Sequence, residues 1–502
     1  MKWFHAIGVC GHATSQVAVM FKQMGWFVTG SDLQYFPPSV DLLKENDIKM
    51  VEGYNYEHLT KDYWIEALKM KPAKWKCGDV PDVCLVIDLA SPQNKELLFA
   101  KKRKIDARPY AQILGEYLVK PESIVIIGSA GKTTTTSLMV KLLQNLTLDP
   151  SYMIGAPVID LGQSLNNTNS KWSVLEGDEY HNPLVSRGAK FLEYKPKYLV
   201  ITKISWEHQD VFNTQESYVQ EFAKAARIIP EDGFILAKYG DKNIDKALEG
   251  VKCKVVRYKL VNSLSDELKD PNLNLWKVVK AEGGINMIYD HNNDFIMDFK
   301  TSLMGDYNLE NILACVALIC NVPAHTLPQE LIDNGTSNLQ TIQRAIDNFK
   351  GPKKRLEILL KRGSLVIVDD FGVVPERAEN SLKTLKENFP DFKITAIFEP
   401  NAGSRPADLA LFNQLYDKSF KLADEVIIPD LSTANLDLAQ SDDFVTRLND
   451  LGFNTKYIPV MDLHTYLNSK VKQDKKTKRM FIFFSSYRLT SVAKEISEKL
   501  SK

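Results

Sequence analysis

The chain has 502 residues, 44% of them hydrophobic and 25% charged, and its 63 basic and 63 acidic side chains cancel to a formal net charge of zero. At roughly 100–200 residues per domain, this length predicts about three domains of ordinary globular composition. With no excess of positive charge, neither a nucleic-acid coat nor a polybasic membrane anchor is expected, so neither nucleic acid nor membrane is expected as a partner.

In chain order, FHAIGVCGHATSQVAVMFKQMGWFVTGSD reads as a strand, a glycine turn, a helix and a second strand ending at Ser31-Asp32. His5, Gly8 and His12 break the opening apolar run too early for a secretory leader. The runs DVCLVID, SIVIIGS, WSVLEGD, KYLVITK, SLVIVDD, KITAIFE and DEVIIPD are short, rich in Val and Ile, and mostly separated by helical patterns. Near-continuous apolar strands alternating with helices indicate buried parallel sheets of the α/β class. Ligands of such sheets bind beyond the carboxyl ends of the strands, so the polar residues there carry the interest. LVKPES (118–123) and FKGPKKR (349–355) break the pattern as linkers do. They divide the chain into α/β domains at 1–119, 120–348 and 349–502. The polar stretch 241–300 reads as peripheral strands and loops, and KVKQDKKTKR around Lys475 as a solvated loop. No segment reaches the ~20 apolar residues of a membrane helix. The six cysteines form no Cys-x-x-Cys pair, as expected of free thiols in a reducing compartment. A cytoplasmic protein, monomeric or weakly dimeric, is expected.

IVIIGSAGKTTTTSL (124–138) has the form of a strand, a glycine turn and a helix start. The standard phosphate loop wants a glycine where Ile126 stands, so a tight turn with a chance lysine is the alternative. As a phosphate site, Gly128, Ser129 and Gly131 bring backbone N–H groups close, Lys132 reaches the terminal phosphates, and the hydroxyl of Thr133 or Thr134 ligates Mg²⁺. SVLEGDEY puts Glu176, Asp178 and Glu179 beyond another strand, where carboxylates suit Mg²⁺; a solvated acidic loop is the plainer reading. YLVITKISWEHQDVF adds Glu207, His208 and Asp210 beyond a third.

Together and in this order, the three segments resemble the Mur ligases of peptidoglycan synthesis. That family carries a short Gly-Thr-x-Gly-Lys-Thr loop, a Glu-Ala-Asp-Glu segment and an Asp-His motif. The likeness extends along the chain. The turn from Gly8 to Asp32 and the stretch from Tyr35 to Leu59 resemble the family's UDP-sugar domain. GDYNLENILACVAL resembles its Gly-x-His-Asn-x-x-Asn helix start, KKRLEIL its Arg-Arg-Leu-Glu, VIVDDFGVVPE its Asp-Asp-Tyr/Phe-Gly/Ala-His-His-Pro, and IFEPNAGSR its C-terminal strand end.

The resemblance implies a Rossmann-like UDP-sugar domain, a central ATPase domain of the phosphate-loop type and a Rossmann-like C-terminal domain, with ATP between the last two. It implies an ATP-dependent ligase joining UDP-N-acetylmuramate to L-Ala-γ-D-Glu-meso-diaminopimelate through an acyl phosphate. Ligation to L-alanine, and a nucleotide-binding homologue that no longer ligates, are the alternatives. The implied roles are Lys132, Glu176 and His208 in catalysis, and Thr133, Glu176 and His208 on Mg²⁺. Gly128, Ser129, Gly131, Lys132, Thr133, Thr134, Asn308, Asn311, Arg355 and Asp370 would serve the nucleotide. Gly8, Gly11, Ser31, Asp32 and Arg405 would serve the substrates. Gly177 replaces the alanine of Glu-Ala-Asp-Glu, and Val373-Val374 replace His-His.

Overall fold

The computed structural model describes residues 1–501 except 36, 88–89, 183–185, 207–210, 266–272, 374, 400–417, 430–437, 475 and 486–487. It divides into two compact units, Met1–Ser302 with Asp306–Lys350, and Leu303–Gly305 with Gly351–Lys502.

The first unit opens with β1 (Trp3–Ile7), α1 (His12–Gln23), β2 (Phe27–Asp32), α2 (Ser39–Glu45), β3 (Lys49–Glu52), α3 (Lys61–Ala67), β4 (Val83–Val86), α4 (Lys95–Arg103), β5 (Asp106–Pro109) and α5 (Tyr110–Tyr117). The strands form a parallel sheet in the order β3-β2-β1-β4-β5. Side chains alternate across its faces. Phe4 and Ala6 pack with Val17, Ala18 and Phe21 of α1, whereas Ile7 packs with Leu97 of α4. The strand order reverses between β1 and β4, which opens a crevice at their carboxyl ends.

The same unit continues with β6 (Glu122–Ile127), α6 (Lys132–Asn145), β7 (Ser151–Met153), β8 (Leu165–Asn166), β9 (Trp172–Glu176), the small hairpin β10 (His181–Asn182) and β11 (Ser186–Ala189), β12 (Tyr198–Ile201), α7 (Gln215–Arg227), β13 (Phe234–Lys238), α8 (Lys242–Ala247), β14 (Lys254–Val261), β15 (Leu275–Lys280), β16 (Asn286–Tyr289), β17 (Phe295–Phe299), α9 (Asp306–Asn321), α10 (Gln329–Asp333) and α11 (Gly335–Asp347). A ten-stranded sheet runs β17-β16-β15-β14-β13-β12-β6-β9-β7-β8. It is parallel from β15 to β7 and antiparallel at both margins. The stretch 241–300 is thus less peripheral than its polarity suggests. β14 and β15 continue the parallel sheet and bury Val256, Tyr258, Leu275 and Val278, while polar residues alternate with them.

The second unit holds β18 (Glu357–Arg362), β19 (Leu365–Asp370), α12 (Pro375–Asn388), β20 (Lys393–Phe398), β21 (Glu425–Ile428), β22 (Thr455–Tyr457) and β23 (Arg479–Phe484). The order is β18-β19-β23-β20-β21-β22, parallel except for β18. Val366, Val368 and Ile394 face Leu382 and Leu385 of α12; Ile367, Ile397 and Phe481 face Leu489 and Ala493 of the last helix. The basic run differs from the expected loop. Lys470–Gln473 close a helix, and the Lys470 ammonium lies 2.8 Å from the buried Glu425 carboxylate; Lys475 is outside the described residues. All six cysteines are free, and among the described residues no helix is long and apolar enough to cross a membrane.

Candidate phosphate and substrate sites

β6 ends in the turn Gly128–Gly131, and α6 begins at Lys132. Gly131 is the N-cap of α6 at φ +85°, a conformation that side-chain-bearing residues rarely adopt. A Cβ there would lie 2.8 Å from Asn311 Oδ1, so α9 closes directly on the turn. Asn311 is held in turn by Asn308, whose side-chain oxygen accepts from Asn311 Nδ2 at 3.1 Å. The turn is tied to the next strand as well. Ser129 N–H donates to the Lys203 carbonyl at 2.9 Å, and the Thr202 hydroxyl donates to the Ala130 carbonyl at 2.5 Å. A glycine turn leading into a helix N-terminus presents N–H groups and a positive dipole end to an anion.

Lys132 Nζ donates to the Gly128 carbonyl at 2.5 Å and to both Glu179 oxygens at 2.8 and 3.0 Å. One residue along, the Thr133 hydroxyl donates to Glu176 Oε1 at 2.8 Å, and Glu176 Oε2 accepts from Gly155 N–H at 2.7 Å. The structure therefore brings Gly128, Ser129, Gly131, Lys132, Thr133, Glu176, Asn308 and Asn311 together. Thr134, mostly buried, lies on the same helical turn. Thr133 and Glu176 supply oxygen donors only, the set that Mg²⁺ takes while keeping other positions for water and phosphate, so these residues fit that ion. Among the described residues, no group of three or more His, Cys, Asp and Glu could hold a metal by itself. His208, with Glu207 and Asp210, lies outside the described residues.

Gly177 has a steric reason. A Cβ at this position would meet Ile127 Cγ2 at 2.5 Å and Phe191 Cβ at 2.9 Å, so here the chain has no room for the family's alanine.

In the first sheet, Gly8 follows β1 at φ +82°, and a Cβ on it would strike the Ile87 side chain beyond β4. Gly8 thus sits at the point where the strand order reverses. The Ser31 carbonyl accepts from Gly8 N–H at 2.8 Å and Val9 N–H at 3.0 Å, and Asp32 Oδ2 accepts from Cys10 N–H at 2.8 Å. The Thr14 hydroxyl donates to the Gly8 carbonyl at 2.7 Å and lies 3.0 Å from that of Gly11. Gly8, Gly11 and Asp32 therefore share one turn. The Ser31 hydroxyl is buried and donates to Glu96 Oε2 at 2.5 Å, so Ser31 shapes this turn through its backbone. Glu96, His5 and His58 complete a buried cluster that sequence reasoning missed. They stand far apart in the chain and belong to no motif.

In the second unit, Arg355 stacks its guanidinium 5.0 Å from the Phe371 ring. Asp370 is buried, accepting from Leu356 N–H at 2.7 Å and the Ser381 hydroxyl at 3.2 Å; burial pushes its carboxyl upward, opposed chiefly by Arg355. The adjacent Asp369 is also buried, and among the described residues neither of its oxygens has a hydrogen-bond partner within bonding distance. Burial pushes it up to about 6, Lys354 opposing and Glu357 and Asp370 reinforcing. Val373 is buried as an ordinary apolar residue; Val374 and Arg405 lie outside the described residues.

Comparison with known proteins places this architecture. Residues 4–120 match the Mur ligase family, catalytic domain, and residues 126–319 match the Mur ligase middle domain. The UDP-N-acetylmuramate–L-alanine ligase of Caldicellulosiruptor bescii is 27% identical over 463 residues, 91% of this chain and 90% of that protein. The UDP-N-acetylmuramate–L-alanyl-γ-D-glutamyl-meso-2,6-diaminoheptanedioate ligase of Haemophilus influenzae is 25% identical over 407 residues, 80% of this chain and 81% of that protein. The solved UDP-N-acetylmuramate–alanine ligase of Thermotoga maritima shares the fold at a TM-score of 0.70 and 19% identity, covering 100% of this chain and 99% of that one. The fold is the three-domain α/β architecture of that neighbour, with mostly parallel sheets. The two domain matches together take in more than half of the sequence, and the chain belongs to the Mur ligase family of ATP-dependent, amide-forming ligases.

Proposed function

We propose that the protein joins the carboxylate of UDP-N-acetylmuramate to the amino group of an L-alanyl residue, using ATP to convert that carboxylate to an acyl phosphate. The observation that carries this reading is the turn at the end of β6, where Lys132 and the Thr133–Glu176 pair converge on one helix N-terminus. Lys132 would hold the terminal phosphates by exchanging its Glu179 contact for phosphate oxygens. Thr133, Glu176 and His208 would hold Mg²⁺, which neutralises phosphate charge when bound. Asn308 and Asn311 would fix the loop against α9, and Arg355 and Asp370 would serve the nucleotide from the C-terminal domain. Gly8, Gly11 and Asp32 would form the diphosphate end of the UDP site, with Arg405 receiving a carboxylate of the incoming amine. Excluding water from this site protects the acyl phosphate until the amine attacks. We assign boundaries at 1–119, 120–348 and 349–502 to the three domains.

The amine we assign is L-Ala-γ-D-Glu-meso-diaminopimelate, because the stretch Tyr35–Leu59 resembles the tripeptide-adding, recycling members of the family in particular. Free L-alanine is the second reading, favoured by the name and the coverage of the C. bescii relative. Phosphate release from Mg-ATP and UDP-N-acetylmuramate separates them when run with no amine, with L-alanine and with the tripeptide. Release with tripeptide alone supports the first reading, and release with L-alanine alone the second. Silence in every arm, with ATP binding that Lys132→Ala abolishes, would reject ligation and leave a nucleotide-binding homologue.

A further inference from the structure

We propose that Glu96 is a positioning residue for a uridine diphosphate group, acting through Ser31 on the glycine turn that follows β1. The inference rests on the substrate reading above and adds a residue to it.

Glu96 lies in the first turn of α4, where three other elements meet it. Its Oε2 accepts from the Ser31 hydroxyl of β2 at 2.5 Å. Its Oε1 lies 2.7 Å from His58 Nδ1, in the short 3₁₀ helix Tyr56–Leu59, and accepts from Asn55 N–H at 3.3 Å. His5 of β1 completes the set, with Nε2 3.4 Å from Ser31 Oγ and Nδ1 2.8 Å from Thr29 Oγ1. Glu96 and His5 are 0% exposed and His58 is 5% exposed.

The direction of the chain follows from what each group is able to donate. The Trp3 indole N–H only donates, and it lies 2.8 Å from Thr29 Oγ1. With neutral His5, the Thr29 proton goes to His5 Nδ1, the His5 proton sits on Nε2 facing Ser31, and the Ser31 proton goes to Glu96. The chain ends on a carboxylate that also receives the His58 N–H. Burial alone would raise Glu96, but the polar groups of His5, His58 and Ser31 around it outweigh burial and hold the carboxyl at about 2. An apolar residue of the same volume would avoid the cost of burying this charge. What the carboxylate supplies is two strong acceptors that fix Ser31, whose carbonyl in turn holds the Gly8 and Val9 N–H groups.

Glu96→Gln keeps the shape but leaves one acceptor oxygen and places an NH₂ group against a donor. One charge-assisted hydrogen bond is lost, which predicts UDP binding weaker by about tenfold or more. Ser31→Ala should give a similar loss, and the double variant no more than the larger single effect. The control is Leu43→Ala, a fully buried position on α2 that lowers stability without touching the chain of hydrogen bonds. The experiment is titration calorimetry of the full-length protein with UDP, and with ATP in parallel, alongside thermal melts. The expected result is that Glu96→Gln loses UDP affinity and retains ATP affinity, while Leu43→Ala, melting lower, retains both. Unchanged UDP affinity in Glu96→Gln, or an equal loss in Leu43→Ala, overturns the inference. Wild-type protein that binds ATP but not UDP overturns the substrate reading and this inference with it.

Discussion

Asp369→Asn gives the sharpest test of the electrostatics. Asp369 is wholly buried, and its carboxyl is pushed up to about 6 by burial, Lys354 notwithstanding. The unfolded chain ionises this group near ~3.9, so the difference of roughly 2 pK units corresponds to about 3 kcal/mol. The sign follows from proton counting. Between about pH 4 and pH 6 the folded protein holds the proton and the unfolded chain has lost it, so unfolding free energy falls as pH rises. The stabilising contribution is complete below about pH 4 and is gone above about pH 6. Asn cannot titrate, so the variant lacks this decline. Its stability relative to wild type should therefore rise by about 3 kcal/mol from pH 4 to pH 7, and any constant packing offset cancels in that comparison. All seven tryptophans lie in the first unit, so indole fluorescence is blind to the second. Hydrogen exchange of peptides covering Leu365–Asp370 and Arg479–Phe484, corrected for intrinsic exchange at each pH, reads the unit directly. A wild-type-to-variant difference that is the same at pH 4 and pH 7 would refute the reasoning.

Other perturbations probe the first unit. Gly177→Ala restores the family's residue yet should destabilise by about 1–3 kcal/mol, because its Cβ collides with Ile127 and Phe191; an unchanged urea midpoint would contradict the steric argument. Glu176→Gln keeps the shape but removes the charge that accepts from Thr133 and Gly155, so kcat should fall about 100-fold or more, with UDP affinity unchanged; steady-state kinetics with added Mg²⁺ check it. Lys132→Met should abolish ATP binding in calorimetry and also lower the melting temperature, since it takes the ammonium away from the buried Glu179 carboxylate; retained ATP binding would contradict the phosphate role of Lys132.

The β6 turn was legible because an apolar run, two glycines, a lysine and threonines are adjacent in the chain, and local geometry follows from local sequence. Strands such as Trp172–Glu176 and Leu365–Asp370 were legible because burial on both faces leaves continuous apolar runs. β14 and β15 read as peripheral because charged residues interrupt them; Arg257 and Lys277 are nonetheless almost wholly buried. β23, RMFIFF, is hidden in the sequence behind its basic flank, although it lies between β19 and β20. The Glu96 cluster was illegible for another reason. His5, Ser31, His58 and Glu96 meet only once the sheet and its flanking segments have formed. Ser31, expected at the UDP-sugar substrate, turns its hydroxyl to Glu96 and holds the turn through its backbone carbonyl.

The central claim is that ATP activates a carboxylate of the UDP-linked substrate. The direct measurement uses UDP-N-acetylmuramate labelled with ¹⁸O in its carboxylate, with Mg-ATP and the productive amine, and reads the released phosphate by mass spectrometry. Attack of the carboxylate on the γ-phosphate followed by amide formation leaves a carboxylate oxygen on phosphorus. One ¹⁸O should therefore pass to each phosphate formed; phosphate free of label, alongside amide product, would contradict activation of the carboxylate by ATP.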